Sequence, residues 1–172
     1  MPPPGGVDHT GSMASTVVIP PHQQGPPDAA NGGVVAGLLA APLGPSAQIR
    51  LEAAVPLATP LRLEVDTEGT SLWDGDRRLA TGVRHDGPAE PVPGVTAADA
   101  AATVGVTAED HPFPHCFVCG PAATHGMHLC VGPVADGSAM AITWRPDPAG
   151  TGLDLEGLAW AALDCPSGQA AM

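Results

Sequence analysis

The first half of the chain combines one apolar run with several alternating segments. Residues 34–41 are almost wholly apolar and closely follow Asn31, a residue that caps helices, so this pattern predicts a buried helix. Beyond it, apolar and polar residues alternate with the period of two that is typical of half-buried strands. We therefore predict that a helix over 31–41 packs on a four-stranded antiparallel meander, with its strands within 47–54, 61–66, 70–73 and 77–83.

Weaker patterns surround this region. A β-branched run at 16–19 predicts an earlier strand, and residues 97–102 form a weakly helical tract. In the second half we predict two strands, 128–131 and 138–144. A second apolar helix is predicted over 155–165, which Pro166 should end or kink because proline lacks the backbone N–H group.

Composition and charge exclude several classes of function. The net charge is −12, and the only basic residues besides histidine are six arginines, which is too few to neutralise a run of phosphates in nucleic acid. No window of about 18 residues is free of proline, glycine clusters or charge, so we expect no membrane span. A signal-peptide pattern is also lacking, and four cysteines are too few for a disulfide scaffold. We therefore expect a cytoplasmic protein with free thiols.

Three short motifs in the second half occur in a characteristic order. They are CFVCGP from Cys116, GMHL from Gly126 and WAALDCP from Trp160. Together they resemble the CxxCG element, the Gly-Leu-x-Leu run and the ALDCP-type helix of the hotdog-fold, acyl-CoA thioesterase-like superfamily. In the first half the resemblance is weaker, because Asn31 stands where related proteins have the histidine of His-Gly-Gly. The acid that they carry nine residues later is Ala40 here.

The resemblance implies an α+β hotdog fold, in which an antiparallel sheet wraps around a central apolar helix, with a second, partial hotdog unit of double-hotdog type. Such a second unit needs its own meander after its helix, but only seven residues follow Cys165. We expect a homo-oligomer, or dependence on a missing C-terminal segment, to complete it. The predicted organisation is a disordered N-terminus, a first unit, a linker and an incomplete second unit, at 1–15, 16–83, 84–114 and 115–172.

The same resemblance implies a site formed by the start of the first apolar helix and by an acid within the second. Asp164 stands at the position of the family's acid and would act as a general base on water or as the attacking carboxylate. Glu156 is a second candidate acid, although a first-turn glutamate can equally complement the helix dipole. The segment Asn31, Gly32 and Gly33 would bind the thioester oxygen through backbone N–H groups. The alternative interpretations are an ordinary helix cap at Asn31 and a solvent-facing carboxylate at Asp164.

The cysteines also allow a metal interpretation. Cys116, Cys119, His125 and Cys130 have a spacing one residue away from that of a zinc knuckle, and three further histidines are near in sequence, His111, His115 and His128. Because the resemblance explains the CxxCG element without metal, and buried cysteines commonly act as small apolar residues, we expect no zinc and no other cofactor. Cys165 has no histidine near it in sequence that could activate it as a nucleophile.

The function implied by the resemblance is that of a thioesterase-like protein that hydrolyses acyl-CoA thioesters or descends from such a hydrolase. The alternative is a non-catalytic acyl-binding or dimerising hotdog module. Asp164 favours the enzyme. Ala40 in place of an acid, the absence of histidine at both helix starts and the missing second sheet favour the alternative. In either case the expected partner is acyl-CoA or a related thioester.

Overall fold

Five antiparallel strands form a single sheet in the computed structural model, which describes residues 13–44, 46–87, 94–105 and 109–170. The strand order is β1-β3-β4-β5-β2. The strands are β1 (Met13–Val17), β2 (Ala47–Leu51), β3 (Leu61–Val65), β4 (Thr70–Asp74) and β5 (Arg77–Arg84). A short 3-10 helix, Pro21–Gln23, follows β1. The mixed α+β architecture with an antiparallel sheet agrees with the predicted class and is compatible with a hotdog fold.

The strand order corrects the predicted four-stranded meander. Only β3, β4 and β5 follow one another as neighbours, whereas β2 pairs with β5 and never with β3. The connection after β2 contains Pro56 and Pro60, and Ala58 between them has a φ of 53°. Because this irregular segment takes the chain away from β2 before β3 begins, the next strand pairs elsewhere, and β2 becomes an edge.

The first strand occupies the opposite edge of the sheet. β1 pairs with β3 in the register Met13 to Val65 and Val17 to Leu61. It therefore begins three residues earlier than the predicted strand at 16–19, and it includes residues 13–15, which the sequence assigned to a disordered N-terminus. Residues 1–12 of that predicted segment lie outside the described part of the chain.

The predicted buried helix is confirmed as α1 (Gly32–Ala40). The side chain of Asn31 caps it, since its Oδ1 accepts a hydrogen bond from the Val34 N–H at 3.1 Å. Leu39 and Ala40 have no exposed surface, and the Thr70 hydroxyl of β4 donates to the Leu39 carbonyl at 3.0 Å. The helix thus packs on the antiparallel sheet as its apolar sequence predicts.

A second long helix, α3 (Leu155–Ala170), lies antiparallel to α1. A Cβ atom on Gly33 would lie 2.5 Å from the Trp160 carbonyl, and one on Gly37 would lie 3.3 Å from the Gly157 Cα. Residue numbers therefore rise along one helix as they fall along the other, and small residues allow the close approach. The contact buries Leu158 and Ala161. Leu155 and Leu163, which belong to the same predicted apolar helix, remain exposed.

The end of α3 corrects the predicted end of this helix at residue 165, while the predicted kink at Pro166 stays a prediction. The helix passes Pro166 and continues to Ala170, so the proline does not end it. Proline removes one helical donor at this point. The Ser167 hydroxyl donates to the Asp164 carbonyl at 2.7 Å, so a side-chain donor lies next to the position of the missing proline N–H group.

The strands predicted in the second half are mostly absent from the described residues. Only β6 (Gly132–Pro133) and β7 (Met140–Ala141) form there, two residues each, and the tract predicted as weakly helical contains α2 (Ala97–Ala101). His128 has a φ of 53°, which breaks an extended conformation. The backbone on either side of it instead pairs with an earlier segment, because the Met127 and Leu129 amides donate to the Phe117 and Val118 carbonyls.

Both halves of the chain contribute to one hydrophobic core. Leu39, Leu61 and Leu72 come from the first half, and Phe117 and Leu158 from the second. The division into two hotdog units therefore stays a prediction. Within the described ranges, no helix combines the length and apolarity that crossing a membrane requires.

Candidate functional site

The carboxylate of Asp164 lies at the N-terminus of α1. Its Oδ2 accepts a hydrogen bond from the Asn31 Nδ2 at 3.1 Å, and the backbone N–H groups of Gly32 and Gly33 lie close enough to the carboxylate to lower its pKa. The structure thus brings together four of the five residues predicted for the site. A helix N-terminus carries unpaired donors and partial positive charge, so it is a favourable environment for a carboxylate.

Burial and hydrogen bonding act on Asp164 in opposite directions. Removal of the carboxylate from water raises its pKa above the ordinary value and is the largest effect. The backbone N–H groups of Gly33 and Gly32 and the hydrogen bond from the Asn31 amide lower the pKa and offset this in part. Asp164 is therefore not the solvent-facing carboxylate of the alternative interpretation.

The fifth predicted residue, Glu156, lies away from this cluster. It is exposed in the first turn of α3, about 12 Å from Asp164 along the helix, given the usual rise per residue. Because the two helices are antiparallel, Glu156 is near the C-terminal end of α1, where it lines a cavity of about 340 Å³ together with Gly37 and Ala41. Its predicted catalytic role stays untested, and its position fits the dipole interpretation.

The amide of Asn31 connects the carboxylate to a group of thiols. Asn31 is 1% exposed, and its Nδ2 lies 3.8 Å from the Cys116 Sγ and 3.6 Å from the Cys165 Sγ. Its Oδ1 is occupied by the cap of α1, which fixes the orientation of the amide. One buried side chain therefore serves as a helix cap and as a donor to both Asp164 and two cysteines.

Three sulfur atoms form a compact group beside Asn31. The Sγ atoms of Cys116, Cys119 and Cys165 all lie within 4.8 Å of one another, and those of Cys116 and Cys165 are 3.6 Å apart. All four cysteines of the chain are free. The neighbouring Cys119 and Cys165 thiols lower the pKa of Cys116, and the nearness of Cys116 raises the pKa of both Cys119 and Cys165.

This group differs from the knuckle suggested by the sequence spacing. The Cys130 Sγ donates to the Cys119 carbonyl at 2.8 Å and is not a member of the group. The His125 ring instead lies edge-on to His22, with ring centroids 6.5 Å apart. The third sulfur comes from α3, which sequence spacing cannot indicate. The signal available in the sequence is that Cys165 directly follows the candidate acid Asp164.

A cavity of about 220 Å³ opens beside the thiols and the carboxylate. His111, among its lining residues, is 5% exposed, and its Nδ1 accepts a hydrogen bond from the Phe113 N–H at 3.0 Å. The neutral ring therefore carries its proton on Nε2. That atom is buried and has no hydrogen-bond partner among the described residues. The sequence spacing indicates His111 only as one of three further histidines that could bind a metal ion.

Comparison with known proteins adds little to this geometry. No protein-family model matches the chain, and no curated protein matches it. One crystal structure, described as that of a thioesterase superfamily protein, is similar at 24% sequence identity and a TM-score of 0.38. The match covers 41% of this chain and 46% of that one, so it spans less than half of either protein.

Proposed function

We propose that this chain is a thioesterase-like hotdog protein that hydrolyses acyl-CoA or a related thioester at Asp164 and the N-terminus of α1. The observation that carries the proposal is the placement of a largely buried carboxylate from one helix against the backbone donors of another. The family resemblance of the surrounding motifs, WAALDCP and the glycines after Asn31, supplies the substrate class.

In this reaction Asp164 acts as the general base. It takes a proton from water while the water oxygen forms a bond to the thioester carbon. The negative charge that develops on the carbonyl oxygen is stabilised by the N–H groups of Gly32 and Gly33 at the positive end of α1. Collapse of the intermediate breaks the C–S bond, and the leaving thiolate recovers the proton from Asp164.

The surroundings offer a place for an acyl chain. Gly32, Gly33 and Asp164 also line a cleft of about 240 Å³ between α1, α3 and β2. The other lining residues are mainly apolar and include Ile49, Leu51, Ala36, Trp160 and Leu163. A thioester whose acyl chain lies along this cleft would place its carbonyl next to the two glycines.

One observation favours the alternative of a non-catalytic module. The Gly32 and Gly33 N–H groups already act on the Asp164 carboxylate and lower its pKa, so this carboxylate occupies the positive end of α1. A substrate oxygen has to displace it from at least one donor. Leu51 and Leu163 are exposed at the same cleft, and they could instead bind an acyl group without reaction or contact a second copy of the chain.

The test is hydrolysis of a panel of acyl-CoA esters of different chain length, with released CoA measured by chromatography. We expect Asp164→Asn to lower kcat by about 100-fold to 10,000-fold, the usual contribution of a general base. Asp76→Asn, in the exposed turn between β4 and β5, is the matched control and should retain full activity, whereas Glu156→Gln tests the second candidate acid. Hydrolysis that persists in Asp164→Asn would disprove the assigned role. Binding of acyl-CoA without any turnover by the unaltered chain would establish the non-catalytic alternative.

A further inference from the structure

We propose that Cys116, Cys119 and Cys165 form a binding site for a zinc ion. The three sulfurs converge from two separate elements, since the first two lie on the turn before Gly120 and the third lies on α3. Thiolates are soft ligands that select zinc among the common divalent ions. The proposal does not depend on thioester hydrolysis, because it concerns a different set of side chains.

The spacing of the sulfurs fits a tetrahedral ion. Two thiolates on one zinc ion, each about 2.3 Å from the metal, are about 3.8 Å apart at the tetrahedral angle. The Cys116 and Cys165 sulfurs are 3.6 Å apart, so they need to move by only a few tenths of an ångström. The turn is held in shape by a hydrogen bond from the Gly120 N–H to the Cys116 carbonyl at 2.8 Å.

Hydrogen-bond donors already surround two of the three sulfurs. The backbone N–H groups of Val118 and Cys119, in the same turn as Cys116, lower the pKa of the Cys116 thiol. The Asn31 amide donates to the sulfurs of both Cys116 and Cys165. Three thiolates leave a zinc complex with one excess negative charge, which such donors stabilise, and partners of this kind orient metal ligands in proteins. The donors therefore match a thiolate site better than a group of neutral thiols.

Cys116, Cys119 and Cys165 all line the cavity of about 220 Å³, which offers room for a fourth ligand. Three protein ligands and one open position are typical of zinc sites that also hold water or a substrate. His111 lines this cavity with a buried Nε2–H group that has no acceptor among the described residues. A water molecule on the zinc ion would supply that acceptor. The orphaned donor is an independent indication that the cavity holds a further polar group.

The proposal departs from the expectation, drawn from the sequence, that the chain binds no zinc. That expectation concerned a knuckle of Cys116, Cys119, His125 and Cys130, and the structure assembles a different set. Cys165 belongs only to the proposed site, and Cys130 only to the knuckle, so substitutions of these two residues distinguish the two sets. A disulfide between Cys116 and Cys165 is the competing fate of the same sulfurs.

The experiment uses the full chain, purified and stripped of metal under anaerobic, reducing conditions, and titrated with zinc or cobalt(II). We expect one ion per chain by elemental analysis, a thiolate-to-cobalt charge-transfer band in the near ultraviolet and a rise in Tm on zinc addition. Cys119→Ser and Cys165→Ser should lose stoichiometric binding, whereas Cys130→Ser, the matched control, should retain it. Asn31→Ser, which removes the amide donor, should weaken zinc binding by about 10-fold to 100-fold.

Three results would overturn the proposal. They are the absence of zinc uptake by the reduced chain, loss of uptake in Cys130→Ser with retention in Cys165→Ser, and a Cys116–Cys165 disulfide that persists in the purified reduced protein. Circular dichroism of each variant identifies those that fail to fold. The cobalt spectrum of the unaltered chain detects thiolate ligation without any substitution.

Discussion

Two regions of the molecule achieve the same burial by different means. In residues 13–87, five strands pair along most of their length, and Leu61, Leu72 and Leu79 are at most 1% exposed. In residues 109–154, the only regular strand pairing described is the two-residue ladder of β6 and β7. Yet Cys116, Phe117 and Val118 in this region are also at most 1% exposed. Regular secondary structure is therefore no measure of how much a segment contributes to the core.

Hydrogen bonds outside the sheet connect the second region, residues 109–154, to the first. The Phe117 N–H donates to the Gln24 carbonyl at 2.6 Å, and the Met127 and Leu129 amides pair with the Phe117 and Val118 carbonyls. Isolated hydrogen bonds of this kind satisfy buried backbone groups without forming a sheet. The second region thus packs on a surface of the first region, and the thiol group brings its turn into contact with α3.

The largest predicted effect tests whether the two regions share one core. Phe117→Ala should lower the free energy of unfolding by about 3–5 kcal/mol, because a buried aromatic side chain is lost and a cavity remains. Phe113→Ala is the control, since Phe113 is 39% exposed, and it should cost much less. Urea unfolding followed by tryptophan fluorescence measures both. A single shifted transition is expected, and two separate transitions, of which only one shifts, would show that the regions fold independently.

Local periodicity predicts the elements of the first region well. It places α1 and the strands β3, β4 and β5 within a few residues, because a buried helix and half-buried strands leave direct patterns in the sequence. The strand order is not predicted, since pairing of β2 with β5 depends on which edge of the sheet is available. In the second region the same patterns mislead, because residues 128–131 pair with a neighbouring turn rather than with a strand.

The candidate site shows the same division between local and distant information. The sequence predicts that Asn31 and Asp164 belong to one site, through the resemblance, and the structure places them in hydrogen-bond contact. The sequence does not predict the thiol group. Cys165 on α3 and Cys116 on the turn are far apart in sequence, and only the tertiary fold brings them together. The buried donor of His111 is equally hidden, since burial of a histidine has no local signature.

An intermediate effect tests the contact between α1 and α3, which packs the C-terminal helix on the first region. A Cβ on Gly33 would lie 2.5 Å from the Trp160 carbonyl and 2.7 Å from the Ala161 Cα, both backbone atoms that cannot move alone. Gly33→Ala should therefore destabilise the protein by about 1–3 kcal/mol through overpacking, despite the higher helix propensity of alanine.

The control for Gly33 is Gly168→Ala in α3. A Cβ there would meet nothing within 4 Å, so helix propensity alone acts, and the change should stabilise by up to about 1 kcal/mol. Thermal unfolding of the two variants, compared with the unaltered chain, should give shifts of opposite sign. An increase in Tm for Gly33→Ala would show that the helices are farther apart than this packing implies.

The smallest predicted effect concerns the ion pairs on the sheet surface. The Arg78 Nε on β5 lies 3.1 Å from the Glu52 Oε2 just after β2, and both side chains are partly exposed. Exposed pairs of this kind contribute about 0.2–1 kcal/mol, and salt screens them. Glu52→Gln should therefore lower the free energy of unfolding by no more than this amount at low salt, and by less at high salt. Glu68→Gln, on the exposed turn after β3, is the control. It should leave the free energy of unfolding unchanged at both low and high salt. A loss of several kcal/mol in Glu52→Gln would contradict the conclusion that buried side chains, rather than surface charges, hold β2 at its edge of the sheet.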